Sequence, residues 1–457
     1  MPNKLGRQAV VIGAGMAGMP AARVLADHFD QVIVLENDSL PSEASPRTGT
    51  PQAKHAHVLI AGGQQALSAL FPGFEQSLAA AGAVQVRVST DSYWERPGFE
   101  AFPQRDLGIA VYSMTRPLLE SVVRKHFAAI PNIKTHQRCR AQQLITTEDG
   151  ARVTGVICLH SDGTPEEISA DLVIDATSNG QLTLNLLAAL GLPAPEESTV
   201  GIEMGYATTF FEIPQDAPSN WKLAYTLADP PINRRGALLI PVEGKCWMVS
   251  LAGSHDSKPP DDDAGFLEYA RQIRTQTIYD AIKGAKRRGP ISRYVLRASR
   301  WRHFENLEKL PGGLIPFGDT ICRFNPIYGQ GMTVAAKEAC LLFDLLKTAA
   351  ENGNGIGSVP AEFLAQAQPI IDAPWATAVV PDFLDPLTEG DRPANLDDAL
   401  RFTQAVIKLA YEDPAMHKLM VEVQYLLKPR SVLREPEVFE RIKAEMAETQ
   451  ELSELAG

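Results

Sequence analysis

Three glycines, Gly13, Gly15 and Gly18, follow the apolar run QAVVI, with Ala14 between the first two, and a carboxylate, Glu36, closes the next apolar run QVIVLE. At a strand-to-helix turn these residue types suit phosphate chemistry. The first glycine permits the tight turn, the second lets a pyrophosphate approach the backbone, and the third lets the helix pack on the strand. Free N–H groups and the positive dipole end of the helix then meet the phosphates. Glu36 falls where a carboxylate accepts from both hydroxyls of a ribose. An acid there favours an unphosphorylated adenosine ribose, as in FAD or NAD, over NADP.

A second constellation lies far downstream. The run GLIPFGD ends in Gly318-Asp319, and NPIYGQGM brings Pro326, Gly329, Gln330, Gly331 and Met332 ahead of the helical pattern TVAAKEACLLFDLL. Asp319 suits a ribityl hydroxyl. The Gly-Gln-Gly-Met turn offers backbone N–H groups to the electron-rich N1–C2=O edge of an isoalloxazine, and a helix dipole behind that edge stabilises an anionic reduced flavin. Each set needs a strand, a tight turn and a helix beginning to hold it. QAVVIGAG and QVIVLEN read as buried parallel strands on either side of the helix MAGMPAARVLADHF, one βαβ unit. GLIPFGD reads as a further strand before its own helix.

The two motifs, in this order, resemble the FAD-dependent aromatic hydroxylase and epoxidase group, the class A flavoprotein monooxygenases with the para-hydroxybenzoate hydroxylase fold. The resemblance covers most of residues 8–350. The segment SPRTGTPQAKHAHVLIAGG is similar to bacterial secondary-metabolism monooxygenases and epoxidases, whose R-x-G-x-P-Q-x-x-H-x-H pattern it shares. The resemblance implies that Arg47 lies near the flavin and that Arg116, ahead of a helix in VYSMTRPLLESVVRKHF, contacts FAD. It also implies that EISADLVIDATSNG ends under the adenine side of the cofactor.

The activity it implies is hydroxylation or epoxidation of a small, largely apolar aromatic or alkene substrate by O2, through a flavin C4a-hydroperoxide. A flavin-dependent dehydrogenase or reductase that inserts no oxygen is the alternative. A halogenase shares the fold, but the Trp-x-Trp-x-Ile-Pro motif of many halogenases is absent. One departure concerns the reductant. Relatives carry an Asp-Gly pair after the A-D-L-V-I strand that serves FAD and a transient NADPH or NADH, whereas Asp175 here is followed by Ala176. Direct reduction and supply of reduced flavin by a separate flavin reductase both stay open.

Between the two flavin segments the texture changes. MGYATTFFEI, RGALLIPV, KCWMVSLAG and RYVLRASRW read as antiparallel strands, and DAGFLEYARQIRTQTIYDAIKGA as one covering helix opened by an aspartate. The expected fold class is α/β: a Rossmann-like FAD-binding domain with an inserted, mostly antiparallel substrate sheet and a C-terminal helical region. The expected segments are 1–200 and 311–350 for FAD, 201–310 for substrate, and 351–457 for helices broken by prolines. Tyr206, Phe210, Phe211, Tyr225 and Trp247 are candidates for the pocket wall, although strand aromatics serve more often as core. No side chain is assigned as catalytic; His57 and Arg47 are the candidates. His55 and His57 point to opposite sides of an extended segment, so no shared metal is expected. A covalent flavin link at His55, His57 or Cys322 is an open alternative.

The net charge of −12 excludes general nucleic-acid binding, which needs a basic face. Five scattered cysteines suggest free thiols, with neither a disulfide frame nor a zinc site. The N-terminus runs straight into a strand and no apolar run spans a bilayer, so a cytoplasmic monomer or homodimer without membrane contact is expected.

Overall fold

The computed structural model describes residues 4–99 and 101–456, with side chains described up to residue 448. The opening strand Gly6–Ile12 lies at the middle of a five-stranded parallel sheet. Phe29–Glu36 and Ile133–Gln137 follow on one side, Leu172–Asp175 and Leu314–Pro316 on the other. Val10, Val11, Val32 and Val34 are fully buried, as strands covered on both faces require. The helix Gly18–His28 crosses over one face, and the long helix Gly331–Asn352 packs beside it through Ala336 and Ala339, both fully buried. Parallel strands thus point their carboxyl ends, and the turns that follow them, toward one rim.

A second sheet has the order Cys322–Arg323, Arg287–Arg302, Glu197–Glu212, Cys246–Ser254, Arg235–Val242, Leu223–Thr226, Ser92–Glu95, with Glu389–Gly390 paired to the third strand. Its pairings are antiparallel except the last in that order. Side chains alternate across it. Ala207, Phe211, Trp247 and Leu251 pack under the helices Asp263–Arg271 and Thr277–Ile282. The expected single helix is therefore two. The break has an anchor: the buried carboxylate of Glu95 accepts from the hydroxyls of Thr226, Thr275 and Thr277, and this fixes the chain between the two helices onto the sheet.

The next difference lies in the C-terminal region. Val359–Asp382 is one continuous helix although Pro369, Pro374 and Pro381 lie inside it. Each interior proline removes a backbone hydrogen bond. Burial of Phe363, Leu364, Ala367, Ile371, Ala378 and Val379 outweighs that loss. The helices Leu396–Glu412 and Pro414–Gln424 then fold back toward the sheet. Arg105 fastens the first of them, donating to the carbonyls of Ala410 and Tyr411 at 2.8 and 2.6 Å, where the negative helix end favours a cation. Among the described residues no helix is long and apolar enough to cross a membrane.

Candidate cofactor and substrate site

One cavity of about 1490 Å³ runs from the rim of the parallel sheet to the face of the second sheet. Sites for a single small ligand span roughly 300–1,000 Å³, so this one has room for a large cofactor and a second molecule. Gly13, Gly15, Met16 and Ala17 line it from the first glycine turn, and Gly329, Gln330, Gly331 and Met332 from the second. Both turns open helices whose first residues have no side-chain cap and no acidic residue in the first turn. Their free N–H groups face a common space, which an anion or a carbonyl can fill.

The three glycines of the first turn have different tasks. A Cβ on Gly18 would stand 1.8 Å from the Gly13 carbonyl oxygen, so this glycine is needed for helix and strand to touch. Gly13 has φ +104°, and a Cβ there would meet the Ala176 carbonyl at 2.7 Å. A Cβ on Gly15 would find only Arg47 Nη2, at 3.9 Å, so the space before it is open. Glu36 accepts from the Ala14 N–H and the Asp38 N–H, both at 2.9 Å.

Arg47 reaches this turn from its own loop. It pairs with Glu36 at 3.0 Å, Asp38 at 3.2 Å and Glu120 at 3.3 Å. Against its own burial, these carboxylates hold its guanidinium above the ordinary arginine value. Arg116 begins the helix Arg116–Ala128 behind the N-cap Thr115 and donates to Glu120 at 2.8 Å. Burial opposes ionisation of Glu120, but the two arginines keep it below the usual range. At the second turn, Gln330 is buried with Oε1 lacking a partner among the described residues. Asp319 lines the cavity, its carboxyl raised by burial, and Pro326 is exposed to the same space.

His57 also lines the cavity. Its Nδ1 lies 2.9 Å from the His55 carbonyl oxygen, and burial together with Arg116 lowers its pKa to about 3. The ring is therefore neutral: Nδ1–H donates to that carbonyl and Nε2 is left as an acceptor. His55 is turned to Thr208, with Nδ1 to Oγ1 at 2.8 Å, so the two histidines do not share a ligand position.

At the far end, Tyr206 and Tyr225 line the cavity, whereas Phe210, Phe211 and Trp247 do not. Strand alternation explains Phe211, which sits on the helix-covered face. Trp247 stacks on Trp221 at 6.1 Å within that core, and Phe210 packs beyond the cavity with Ile240 and Met248. Leu400, Thr403 and Ile407 close this end from the helix Leu396–Glu412.

Sequence reading missed a polar group here. Asp382, the last residue of the proline-containing helix, accepts from Asn325 Nδ2 at 2.9 Å and from the Tyr328 hydroxyl at 3.1 Å. Its Oδ2 is buried with no partner among the described residues, and burial raises the carboxyl to about 7 against those two hydrogen bonds. No local pattern marks it. Its surroundings come from the Asn-Pro turn and from Tyr206 and Tyr225 on the sheet.

Comparison with known proteins fits this geometry. A family model described as FAD dependent oxidoreductase matches residues 8–235. The chain is 33% identical over 363 residues to Protein Rv3254 of Mycobacterium tuberculosis, an alignment covering 78% of this chain and 75% of that one. It belongs to the FAD dependent oxidoreductase family. Two solved structures share the fold of this oxidoreductase at 16% identity. A flavoprotein/dehydrogenase from Cytophaga hutchinsonii has a TM-score of 0.70, with 98% of this chain and 100% of that chain covered. The p-nitrophenol 4-monooxygenase PnpA from Pseudomonas putida DLL-E4 has a TM-score of 0.63, with 94% and 100% covered.

The residues of this FAD-dependent oxidoreductase fit its cofactor. An open cradle at Gly15, two uncapped helix beginnings and the orphaned Gln330 Oε1 are what a diphosphate and a polar ring edge complete. Asp175 is differently occupied. It is fully buried, and its carboxylate accepts from the hydroxyls and backbone N–H groups of Thr177 and Thr183, so it braces its own turn. The cysteines are free thiols, as the sequence suggests, although two of them lie on neighbouring strands. Cys139 and Cys158 lie on paired strands as free cysteines near His136, His160 and Glu166. Burial pushes Cys139 up to about 12, a neutral thiol, and His160 Nε2 is engaged by Glu166 at 2.7 Å.

Proposed function

We propose that this FAD-dependent oxidoreductase is a monooxygenase that transfers one atom of O2 to a small, largely apolar aromatic or alkene substrate. The observation that carries the reading is the continuity of the cavity: one end has the two glycine turns, the other a wall of tyrosines and aliphatic side chains. In this reading residues 1–200 and 311–350 hold FAD. Gly13 and Gly15 meet the diphosphate and Glu36 the adenosine ribose, with Arg47 and Arg116 beside them, while Gly18 packs the helix on the strand and Ala14, its N–H held by Glu36, shapes the turn behind the cavity wall. Asp319 and the run Pro326, Gly329, Gln330, Gly331 and Met332 hold the ribityl chain and the N1 edge of the ring. The sheet of 201–310 and the helices of 351–457 enclose the substrate. Bound FAD supplies the redox chemistry and the activation of O2. The chain's own residues supply orientation, a dry space and a proton acceptor.

Asp382 is that acceptor for a hydroxylated substrate, through the free Oδ2. With a carboxyl raised to about 7, the charged form grows in as pH rises through neutrality. Binding of 2-naphthol, read by calorimetry, is expected to tighten by up to about tenfold between about pH 6 and about pH 8. In Asp382→Asn the same profile is expected to be flat. An unchanged slope in the variant removes Asp382 from this role.

Reducing equivalents reach the flavin from NADH or NADPH, or from a separate flavin reductase, and mixing the holoprotein with each nucleotide anaerobically distinguishes the routes. Incorporation of oxygen-18 from labelled O2 into product tests the function itself. Turnover with no label in the product would favour a dehydrogenase or reductase instead.

A further inference from the structure

Among the cations that line the cavity, Arg140 is exposed, and Arg323 reaches the Ala298 carbonyl at 3.5 Å and faces the carboxyl of Asp319, while four others have carboxylate partners. Arg47 and Arg116 meet carboxylates at the first turn, Arg234 holds Asp385 at 2.6 Å, and Lys408 holds Glu445 at 2.5 Å. Arg96 differs. Among the described residues it has no hydrogen bond and no ion pair, and its Nε is buried without a partner. Its guanidinium lies over the rings of Trp94 and Phe102, 5.7 and 6.0 Å from their centroids. The adjacent carboxylate cannot serve it, because Glu95 is turned to three threonine hydroxyls. The hydroxyls of Tyr225 and Tyr328 lie in its field, and both already donate elsewhere, to the Ile327 carbonyl at 3.3 Å and to Asp382 at 3.1 Å. Burial pushes the arginine below its ordinary pKa, so the charge is held at a cost.

A half-buried charge with no counter-ion and a buried Nε is costly to desolvate. A chain keeps one where a ligand supplies the counter-charge. The FAD diphosphate belongs to the glycine turns at the opposite end, so the cofactor leaves this cation unpaired. We propose that Arg96 is an anion subsite of the substrate pocket, and that the substrate is an amphiphile with an apolar or aromatic body and a carboxylate or phenolate. The planar guanidinium fork matches a carboxylate in bidentate fashion, which an ammonium does not. Met204, Tyr206, Leu223, Tyr225, Leu296 and Ile407 give the body of such a molecule an apolar enclosure. The proposal rests on the reading that this end of the cavity receives the substrate.

The test uses FAD-loaded protein and a matched pair of probes, 2-naphthoate and its neutral amide, 2-naphthamide, titrated by calorimetry. Charge-assisted hydrogen bonds predict that the carboxylate binds about tenfold or more tighter than the amide. That preference is expected to vanish in Arg96→Met and to survive in part in Arg96→Lys. The apoprotein of Arg96→Met is expected to melt no lower than the parent, since an unpaired charge is removed, and its affinity for FAD is expected to be unchanged. Equal binding of the two probes, binding of neither, or a preference that persists in Arg96→Met overturns the proposal. So does a lowered melting temperature, which makes Arg96 a structural residue, or a weakened FAD affinity, which makes it a cofactor contact. Failure of the flavin reading has a separate signature: the purified chain would not take up FAD, while the probe preference would still be readable in the apoprotein.

Discussion

Gly15→Ala is expected to leave the apoprotein folded and to deprive it of FAD, whereas Gly18→Ala is expected to deprive it of the fold. The two glycines sit in one turn, yet their surroundings differ. A methyl group on Gly18 collides with the Gly13 carbonyl oxygen at 1.8 Å and crowds Val11 Cγ1 at 3.3 Å. Neither neighbour can yield, because Val11 is fully buried in the central strand and the Gly13 N–H is held by the Leu35 carbonyl at 2.8 Å. Helix and strand must separate, and a loss above about 4 kcal/mol belongs to this kind of backbone clash. On Gly15 the methyl group enters open space and meets only the end of Arg47 at 3.9 Å. Apoprotein stability should then stay within about 0.5 kcal/mol of the parent. The diphosphate loses its close approach to the backbone N–H groups. Each charge-assisted hydrogen bond forgone is worth about 1.5–3 kcal/mol, so the FAD dissociation constant should rise about a hundredfold or more. Thermal melts of apoprotein and quenching of flavin fluorescence on titration read the two effects separately. A Gly15→Ala protein that binds FAD like its parent would remove the phosphate assignment.

The two glycine turns were legible because each is a local device, with strand, turn and helix contiguous in the chain. The tyrosine wall was legible only in part. Alternation assigns each strand residue to a face, but it does not say which face meets the cavity or where along the strand the cavity stops. Tyr206 and Phe210 share a face, yet only the first reaches the open space. Asp382 and Arg96 left no pattern at all, because what distinguishes them is what they lack. Each owes its environment to segments distant in sequence, and an orphaned carboxylate oxygen or guanidinium nitrogen exists only after those segments have packed. The prolines of Val359–Asp382 misled in the opposite direction, since tertiary burial overrode a local preference for breaking the helix.

A buried carboxyl beneath the second turn predicts an unusual pH dependence. Glu338, fully buried on the helix Gly331–Asn352, accepts the Gly318 N–H at 2.8 Å through Oε2, and its Oε1 has no partner among the described residues. Burial pushes the carboxyl up to about 8, against that hydrogen bond, and the nearby Asp319 adds to the rise. The folded state therefore keeps a proton that the unfolded chain releases near 4.5. Its contribution is complete below that value and is lost as pH rises through about 8. The separation corresponds to on the order of 4–5 kcal/mol, at about 1.4 kcal/mol per unit. Glu338→Gln keeps an oxygen for the Gly318 N–H and cannot ionise. Urea unfolding of the apoproteins at about pH 6 and about pH 8 should show the parent losing on the order of 2 kcal/mol that the variant retains. Asp382, also raised, acts in the same direction in both proteins and cancels from the comparison. Equal pH slopes for parent and variant would mean that water or a cation reaches Glu338. The neutral acid is then the state that lets Gly318 and Asp319 lie directly on this helix, and alkaline pH should loosen the turn proposed to hold the flavin.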